Sequence, residues 1–453
     1  MNDDTADVVV VGMGPGGETV ALKLAEAGLD VVGVDQHLLG GECPYWGCVP
    51  SKMMIRAANL LAEARRIPGM AGGAEVRPDW TPVARRLRET TDDWNDREAV
   101  ERFEGKGGRF VRGTGRLVGP RSVAVGDREI TTRRAVVLAS GTRPSPPDID
   151  DLDAVPYWTN REAIEVEELP ASLLVVGGGA VGVELAQVFN RFGVGVTVVE
   201  SSERLLSVEE PEAGDTIGEV FTREGIDVRT STRARRVEHD GRSFTAALDD
   251  GDELSAERLL VATGRKADTD ALGLDTIGID GTQRWVPVDD YLRVADGVWA
   301  VGDVTGKGAF THVATYQASI LVADILGDDP APADYRALPR VTFTDPEVGA
   351  AGLTEAQARD RGIAVAIGAT RTPTTARGWM HGPGNDGFIK LVADRHDGVL
   401  VGATATGPTG GEVLGLLTLA VHARISLDAL RRMIYAYPTF HRGVEDALRD
   451  LDA

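Results

Sequence analysis

Cys43 and Cys48 are the only cysteines in this chain of 453 residues, and they stand five positions apart. They lie in GGECPYWGCVPSK, residues 40–52, a glycine-flanked turn that precedes a helical pattern starting near Pro50. Two thiols at this spacing can form a structural staple, part of a metal clip or a redox switch. The elements around them must decide which.

The bulk composition sets the frame. The net charge is −22, with 42% hydrophobic and 26% charged residues. A chain this long holds two to four domains. No run of about 18 apolar residues is present, so no membrane insertion is expected. The acidic start MNDDTAD lacks an apolar signal core, which reads as cytoplasmic. Two cysteines cannot make the disulfide framework of a secreted protein of this size. The negative charge disfavours nucleic acid and anionic membranes as partners.

Two segments carry the same pattern. Residues 7–17 read DVVVVGMGPGG, a β-branched run leading into Gly12, Gly14 and Gly17. An Ala- and Leu-rich helix follows, then the apolar run VVGVD ending at Asp35. Residues 173–182 read LLVVGGGAVG, with Gly177, Gly179 and Gly182, then a helix and a strand ending at Glu200. Asp35 stands 23 residues after Gly12, and Glu200 stands 23 after Gly177. Strand, glycine turn, helix, strand and acid form a dinucleotide site. The glycines let backbone amides approach a pyrophosphate, the helix start offers positive charge, and the acid binds a ribose hydroxyl. Each unit is followed by an apolar strand and a small-residue turn, AVVLASGTRP (135–144) and RLLVATGRKA (258–267).

The second unit is therefore inserted in the first. The chain resumes the first fold at DGVWAVGDVTGKGAFTHVA (296–314), where Asp303 ends a strand edge suited to a polyol or phosphate. The expected class is α/β: two Rossmann-like dinucleotide-binding domains, the second inserted in the first, plus a C-terminal α+β domain. The expected boundaries are 1–147 and 268–333 for the first domain, 148–267 for the inserted one and 338–453 for the last.

With these residues assembled, the chain resembles the pyridine nucleotide–disulfide oxidoreductases, the family of glutathione reductase, dihydrolipoamide dehydrogenase and mercuric reductase. The segment GGECPYWGCVPSK fits that family's motif. The resemblance implies FAD on the first unit, NAD(P)H on the second and a homodimer built through the C-terminal domain. It implies that Cys43 and Cys48 are a redox-active disulfide, Cys48 facing the flavin and Cys43 attacking the acceptor. A helix starting beside Cys48 would stabilise a thiolate there. Zinc needs more sulfur or histidine ligands than this segment has, so no metal site is expected.

Further roles follow from the same resemblance. Lys52 would lie at the reactive edge of the flavin and pair with Glu184. Gly41, Gly113, Gly115, Ser140, Gly141, Asp35 and Asp303 would contact FAD, together with the helix start at Phe310, Thr311 and His312. Gly264 would join Gly177, Gly179, Gly182 and Glu200 at the nicotinamide nucleotide. A carboxylate at Glu200 repels a 2′-phosphate, and SSER after it has one basic residue, Arg204. This favours NADH over NADPH.

One departure bears on chemistry. The family's disulfide reductases carry His-Pro-Thr-x-x-Glu near the C-terminus, whereas here the segment is YPTFHR. Tyr437 takes the place of the histidine and Arg442 that of the glutamate. A phenol is a poor proton acceptor near neutral pH, and imidazole is well suited. His441 is the candidate substitute, with Glu445 one turn later to pair with it. Mercuric reductase adds a C-terminal cysteine pair that this chain lacks. The leading expectation is electron transfer from NADH through flavin and the Cys43–Cys48 pair to a small-molecule disulfide, with an unusual proton relay. The alternatives are a quinone or metal-ion reductase acting from the flavin and a flavin-bearing redox sensor; Tyr45 and Trp46 between the cysteines read first as local packing and second as an aromatic platform for a quinone.

Overall fold

The computed structural model describes residues 4–451 and contains two compact units. The first takes in the chain up to Pro50, then Arg85–Ser145 and Gly264–Asp334. Its sheet runs Arg293–Ala295, Val298–Ala300, Arg128–Leu138, Thr5–Val11, Val31–Asp35, Arg109–Arg112. The four pairings within Val298–Ala300 to Arg109–Arg112 are parallel. Strands Gly115–Gly119 and Ser122–Val125 branch from Arg128–Leu138 as an antiparallel extension.

The valine run at 8–11 is explained by burial on both faces of this sheet. Val8 and Val10 pack with Leu24 and Leu321 on one side, and Val9 and Val11 pack with Leu117 and Ile130 on the other. Two helices, Pro15–Glu26 and Thr311–Leu326, cover the first face. They meet so closely that a Cβ on Gly16 would lie 3.2 Å from that of Ala314.

The second unit takes in Ser51–Ala84, Pro146–Thr263 and the chain from Tyr335 onward. It holds a parallel four-stranded sheet, Asp227–Arg229, Gly195–Val199, Ser172–Val176, Arg258–Val261. A three-stranded antiparallel sheet spans Ala234–Ala256, and a five-stranded antiparallel sheet is built from residues 339–407. Helices Gly410–His422 and Gly443–Asp450 pack on the latter around Ile389, Leu391, Leu414, Leu417 and Leu448.

The duplication read in the sequence recurs in the backbone. Gly12 and Gly177 have φ of 97° and 114°, and a Cβ on either would lie 2.3 or 2.4 Å from a carbonyl of the neighbouring strand end, Ala139 or Ala262. No side chain fits at these positions. Among the described residues no helix is long and apolar enough to cross a membrane.

A buried lysine stabilises the second unit. Lys390, on the strand Phe388–Asp394, has a side chain 6% exposed and meets Glu210, Glu212 and Glu355 at 2.9, 2.8 and 3.1 Å. Burial opposes the ammonium, but the three carboxylates outweigh it and raise its pKa. The contribution is therefore intact at neutral pH and is lost in strongly alkaline solution, as the lysine deprotonates, and in acid, as the carboxylates protonate. Lys390→Met strands Glu210, itself 2% exposed, and should cost about 3–5 kcal/mol in urea unfolding. A loss below about 1 kcal/mol would contradict this account.

Candidate active site

The thiols lie in the first unit. Gly41 has φ 67°, and a Cβ on it would lie 2.7 Å from the Cα of Gly14. The loop carrying Cys43 therefore runs directly against the first glycine turn, with no room for a side chain between them. Cys43 sits in the one-turn helix Glu42–Tyr45. Cys48 opens the helix Cys48–Arg66, which starts two residues earlier than the sequence pattern suggests. Pro50 is accommodated because the first turn of a helix needs no amide donor there.

The two cysteines are not joined by a disulfide in this structure, and Cys43 is the less exposed. Its hydrogen bond with Cys48, reinforced by burial, pushes the Cys43 thiol well above its ordinary range. The Cys48 Sγ lies 3.4 Å from the Thr311 hydroxyl. Thr311 begins its helix, and the N-cap residue Phe310 makes no side-chain cap. The His312 ring stacks on that of Phe310 at 5.1 Å.

Other expected flavin contacts gather in the same unit. The Asp35 carboxylate accepts the amides of Met13 and His37, both at 2.7 Å. The Gly113 amide donates to the Asp35 carbonyl, and Gly115 packs against Val11 and Val34. Ser140 and Gly141 follow the end of Arg128–Leu138, Gly141 at φ 66°. The Asp303 carboxyl is raised by burial despite a hydrogen bond from Thr142 at 3.1 Å. Thr142 in turn accepts from Arg265 Nε at 2.9 Å, and Arg265 also donates to the Thr142 carbonyl at 2.6 Å. The same guanidinium lies 4.0 Å from Glu42, the residue before Cys43. Sequence reasoning missed this Arg265–Thr142–Asp303 chain. The turn SGTRP marked Thr142 as a loop residue, but nothing local pointed to its partner.

The donor set suits FAD. Helices Pro15–Glu26 and Thr311–Leu326 both start without a side-chain cap, so their first amides can receive an anion. Asp35 offers a carboxylate at a strand end, as a ribose requires.

In the second unit Lys52 Nζ donates to Glu184 at 2.8 Å and lies 4.8 Å from the centre of the Phe343 ring. Glu184 is buried and also accepts the Phe343 amide at 2.8 Å, so both of its oxygens are engaged. Gly179 caps the helix Ala180–Arg191 without a side-chain bond, and Gly182 has no space for a Cβ against the Gly177 carbonyl; Gly264, with φ 116°, belongs to the first unit. Burial disfavours the Glu200 carboxylate, but the amides of Ser202 and Gly178 at 2.7 and 2.6 Å outweigh it and hold its pKa below the usual range. Arg204 donates to the Ser207 carbonyl.

The C-terminal segment departs from one expectation. Tyr437 is 64% exposed, with the Arg442 guanidinium 5.4 Å from its ring centre. His441 Nε2 lies 3.4 Å from the Thr439 hydroxyl and does not pair with Glu445. The Glu445 carboxylate is taken by Arg442 at 3.0 Å and Arg449 at 2.6 Å. Two guanidiniums outcompete a single imidazole for it.

Comparison with known proteins decides the family. The pyridine nucleotide-disulphide oxidoreductase model matches residues 6–318. The chain belongs to that family. The family's dimerisation domain matches residues 338–448. The enzyme is thus an FAD- and NAD(P)H-dependent pyridine nucleotide–disulfide oxidoreductase. It is 36% identical to a mercuric reductase of Streptomyces lividans over 445 residues, 96% of this chain and 93% of that protein. It is 33% identical over 466 residues to a dihydrolipoyl dehydrogenase of Halobacterium salinarum, covering 97% and 95%. The crystal structure of LpdA from Mycobacterium tuberculosis matches with a TM-score of 0.85 at 26% identity, covering 98% of this chain and 99% of that one.

Proposed function

We propose that this oxidoreductase takes electrons from NADH and delivers them through the Cys43–Cys48 couple to a small-molecule disulfide. In this reading 1–147 and 268–333 form the FAD domain, 148–267 binds the nicotinamide nucleotide, and 338–453 forms the interface of a cytoplasmic homodimer. The observation that carries the reading is the thiol pair itself. Cys43 shares a hydrogen bond with Cys48, which sits at a helix start with the Thr311 hydroxyl 3.4 Å away. A helix start, and a hydroxyl able to donate, both favour negative charge on Cys48.

Bound FAD supplies the two-electron relay between nicotinamide and thiols. Asp35, the amides after Gly14 and Asp303 would hold it, with Gly41, Gly113, Gly115, Ser140, Gly141 and the start of the helix at Thr311 around it. Lys52, fixed by Glu184, places a cation. Cys43 attacks the acceptor disulfide and expels one thiol. Cys48 then attacks the mixed disulfide, releases the second thiol and restores the Cys43–Cys48 bond. The attacking thiols give up their protons and each leaving sulfur takes one up, a transfer that Tyr437 or His441 of the C-terminal domain carries. Exposed apolar residues on that domain, Ile434 at 96% and Leu419 at 54%, support a homodimer.

Anaerobic reduction with NADH followed by alkylation tests the reading. Both Cys43 and Cys48 should become labelled only after NADH is added to the oxidised enzyme. Labelling that does not depend on NADH would overturn it.

Glu200 supports NADH as donor. Glu200→Gln keeps an acceptor for one of the two amides, which bind different oxygens of the carboxylate, and removes the charge that faces a 2′-phosphate. The ratio of kcat/KM for NADPH over NADH should rise about tenfold. An unchanged ratio would remove Glu200 from cofactor choice.

A second reading is reduction of a quinone or metal ion. Tyr437 at the position of the family's imidazole favours it, since such acceptors need no proton at a leaving thiol. A mercuric reductase among the relatives points the same way.

A further inference from the structure

The loop that carries the thiols is held by a neighbouring segment in a costly conformation. Asp92, Asp93 and Trp94 have φ of 48°, 54° and 57°. Three consecutive left-handed residues without a glycine are unfavourable, and a bulky indole is among the least suited to this region. Such a run persists only where surrounding contacts over-determine it, and the contacts here lead to one place.

The Trp94 indole Nε1 donates to the carbonyl of Tyr45 at 3.2 Å. That carbonyl lies between Cys43 and Cys48 in the chain. Two residues after Trp94, the buried Asp96 carboxylate accepts the Leu39 amide at 2.7 Å and the Arg112 guanidinium at 2.5 Å. Leu39 is the residue that enters the loop. The segment 92–96 thus grips the loop at its entry and at its middle, while Gly41 is pressed against Gly14 on the other side. Tyr45 and Trp46, 7% and 8% exposed, fill the interior of the loop with rings 5.8 Å apart.

We propose that Trp94 is a positioning residue of the thiol couple. Its indole N–H, aimed by the left-handed turn, keeps the loop closed and Cys43 within reach of Cys48. Holding two reacting sulfurs together raises their effective concentration and favours the disulfide over the dithiol. Trp94 touches backbone and not the reacting atoms, so it sets the balance of the couple. The inference rests on Cys43–Cys48 being that couple.

Equilibration of the FAD-loaded enzyme in glutathione buffers tests it. Two thiols lose two protons and two electrons and form one S–S bond, and glutathione disulfide takes them up and leaves as two glutathione molecules. The fraction oxidised is read by alkylation and mass spectrometry. Trp94→Phe keeps the ring and removes the donor, and the equilibrium constant for disulfide formation should fall about fivefold, the worth of one hydrogen bond. Asp92→Gly keeps the backbone at positive φ and should leave the constant within about twofold. A Trp94→Phe constant within twofold of wild type overturns the proposal. Wild type that forms no Cys43–Cys48 disulfide at any glutathione ratio overturns the functional reading beneath it. If Trp94→Phe does not accumulate, Asp96→Ala removes the other grip. The constant should then fall in the same direction, and an unchanged one overturns the proposal.

Discussion

Cys43→Ser should lower turnover with any disulfide acceptor by about 10⁴-fold or more. Serine at this position cannot form a mixed disulfide, and its hydroxyl is far less nucleophilic than a thiolate. The loop should survive the change, since the Gly41–Gly14 packing and the Trp94–Tyr45 bond do not involve the sulfur. Reduction of a benzoquinone by NADH should therefore persist within a few-fold of wild type. Steady-state assays on the two acceptors check both halves. Equal loss on both acceptors would show that the serine disturbs more than thiol exchange.

Tyr437→His should raise disulfide turnover by about 10²-fold, the lower end of what a placed general acid–base contributes. The position is exposed, so the substitution meets no packing barrier. The gain is limited by Arg442, whose guanidinium lies beside the ring and disfavours an imidazolium. Tyr437→His with Arg442→Glu restores the family's acid and should extend the gain, although the introduced carboxylate would then face Glu445. The pH profile of kcat should acquire a limb in the range where imidazole titrates. Turnover unchanged within twofold, with no new limb, would show that proton delivery at this position does not limit the enzyme. Attention would then move to His441.

The dinucleotide architecture was legible because its signals are local. A glycine whose Cβ would strike a strand carbonyl has no substitute, so Gly12 and Gly177 announce their turns in any sequence. Valines buried on both faces announce a parallel strand. The start of the Cys48 helix was misplaced by two residues because proline is tolerated throughout a first turn. The contacts that tune the site were not legible. Thr142 meets Asp303 across 161 residues, and Cys48 meets Thr311 across 263. No period or motif links such pairs: Thr142 and Asp303 meet just beyond the ends of the paired parallel strands Arg128–Leu138 and Val298–Ala300, and Cys48 meets the start of helix Thr311–Leu326. The expected partner of His441 failed for the same kind of reason. A helical spacing allows His441 to reach Glu445, but Arg442 and Arg449 have the same access and carry permanent charge.

The central claim is that electrons leave this enzyme through Cys43 and Cys48. The most direct test is anaerobic reduction with NADH, followed by rapid mixing with lipoamide, a low-molecular-weight disulfide or a benzoquinone, in wild type and in Cys43→Ser. The account predicts that one disulfide reoxidises the wild type rapidly and leaves the variant reduced. Reoxidation by the quinone alone, at the same rate in both proteins, would contradict it.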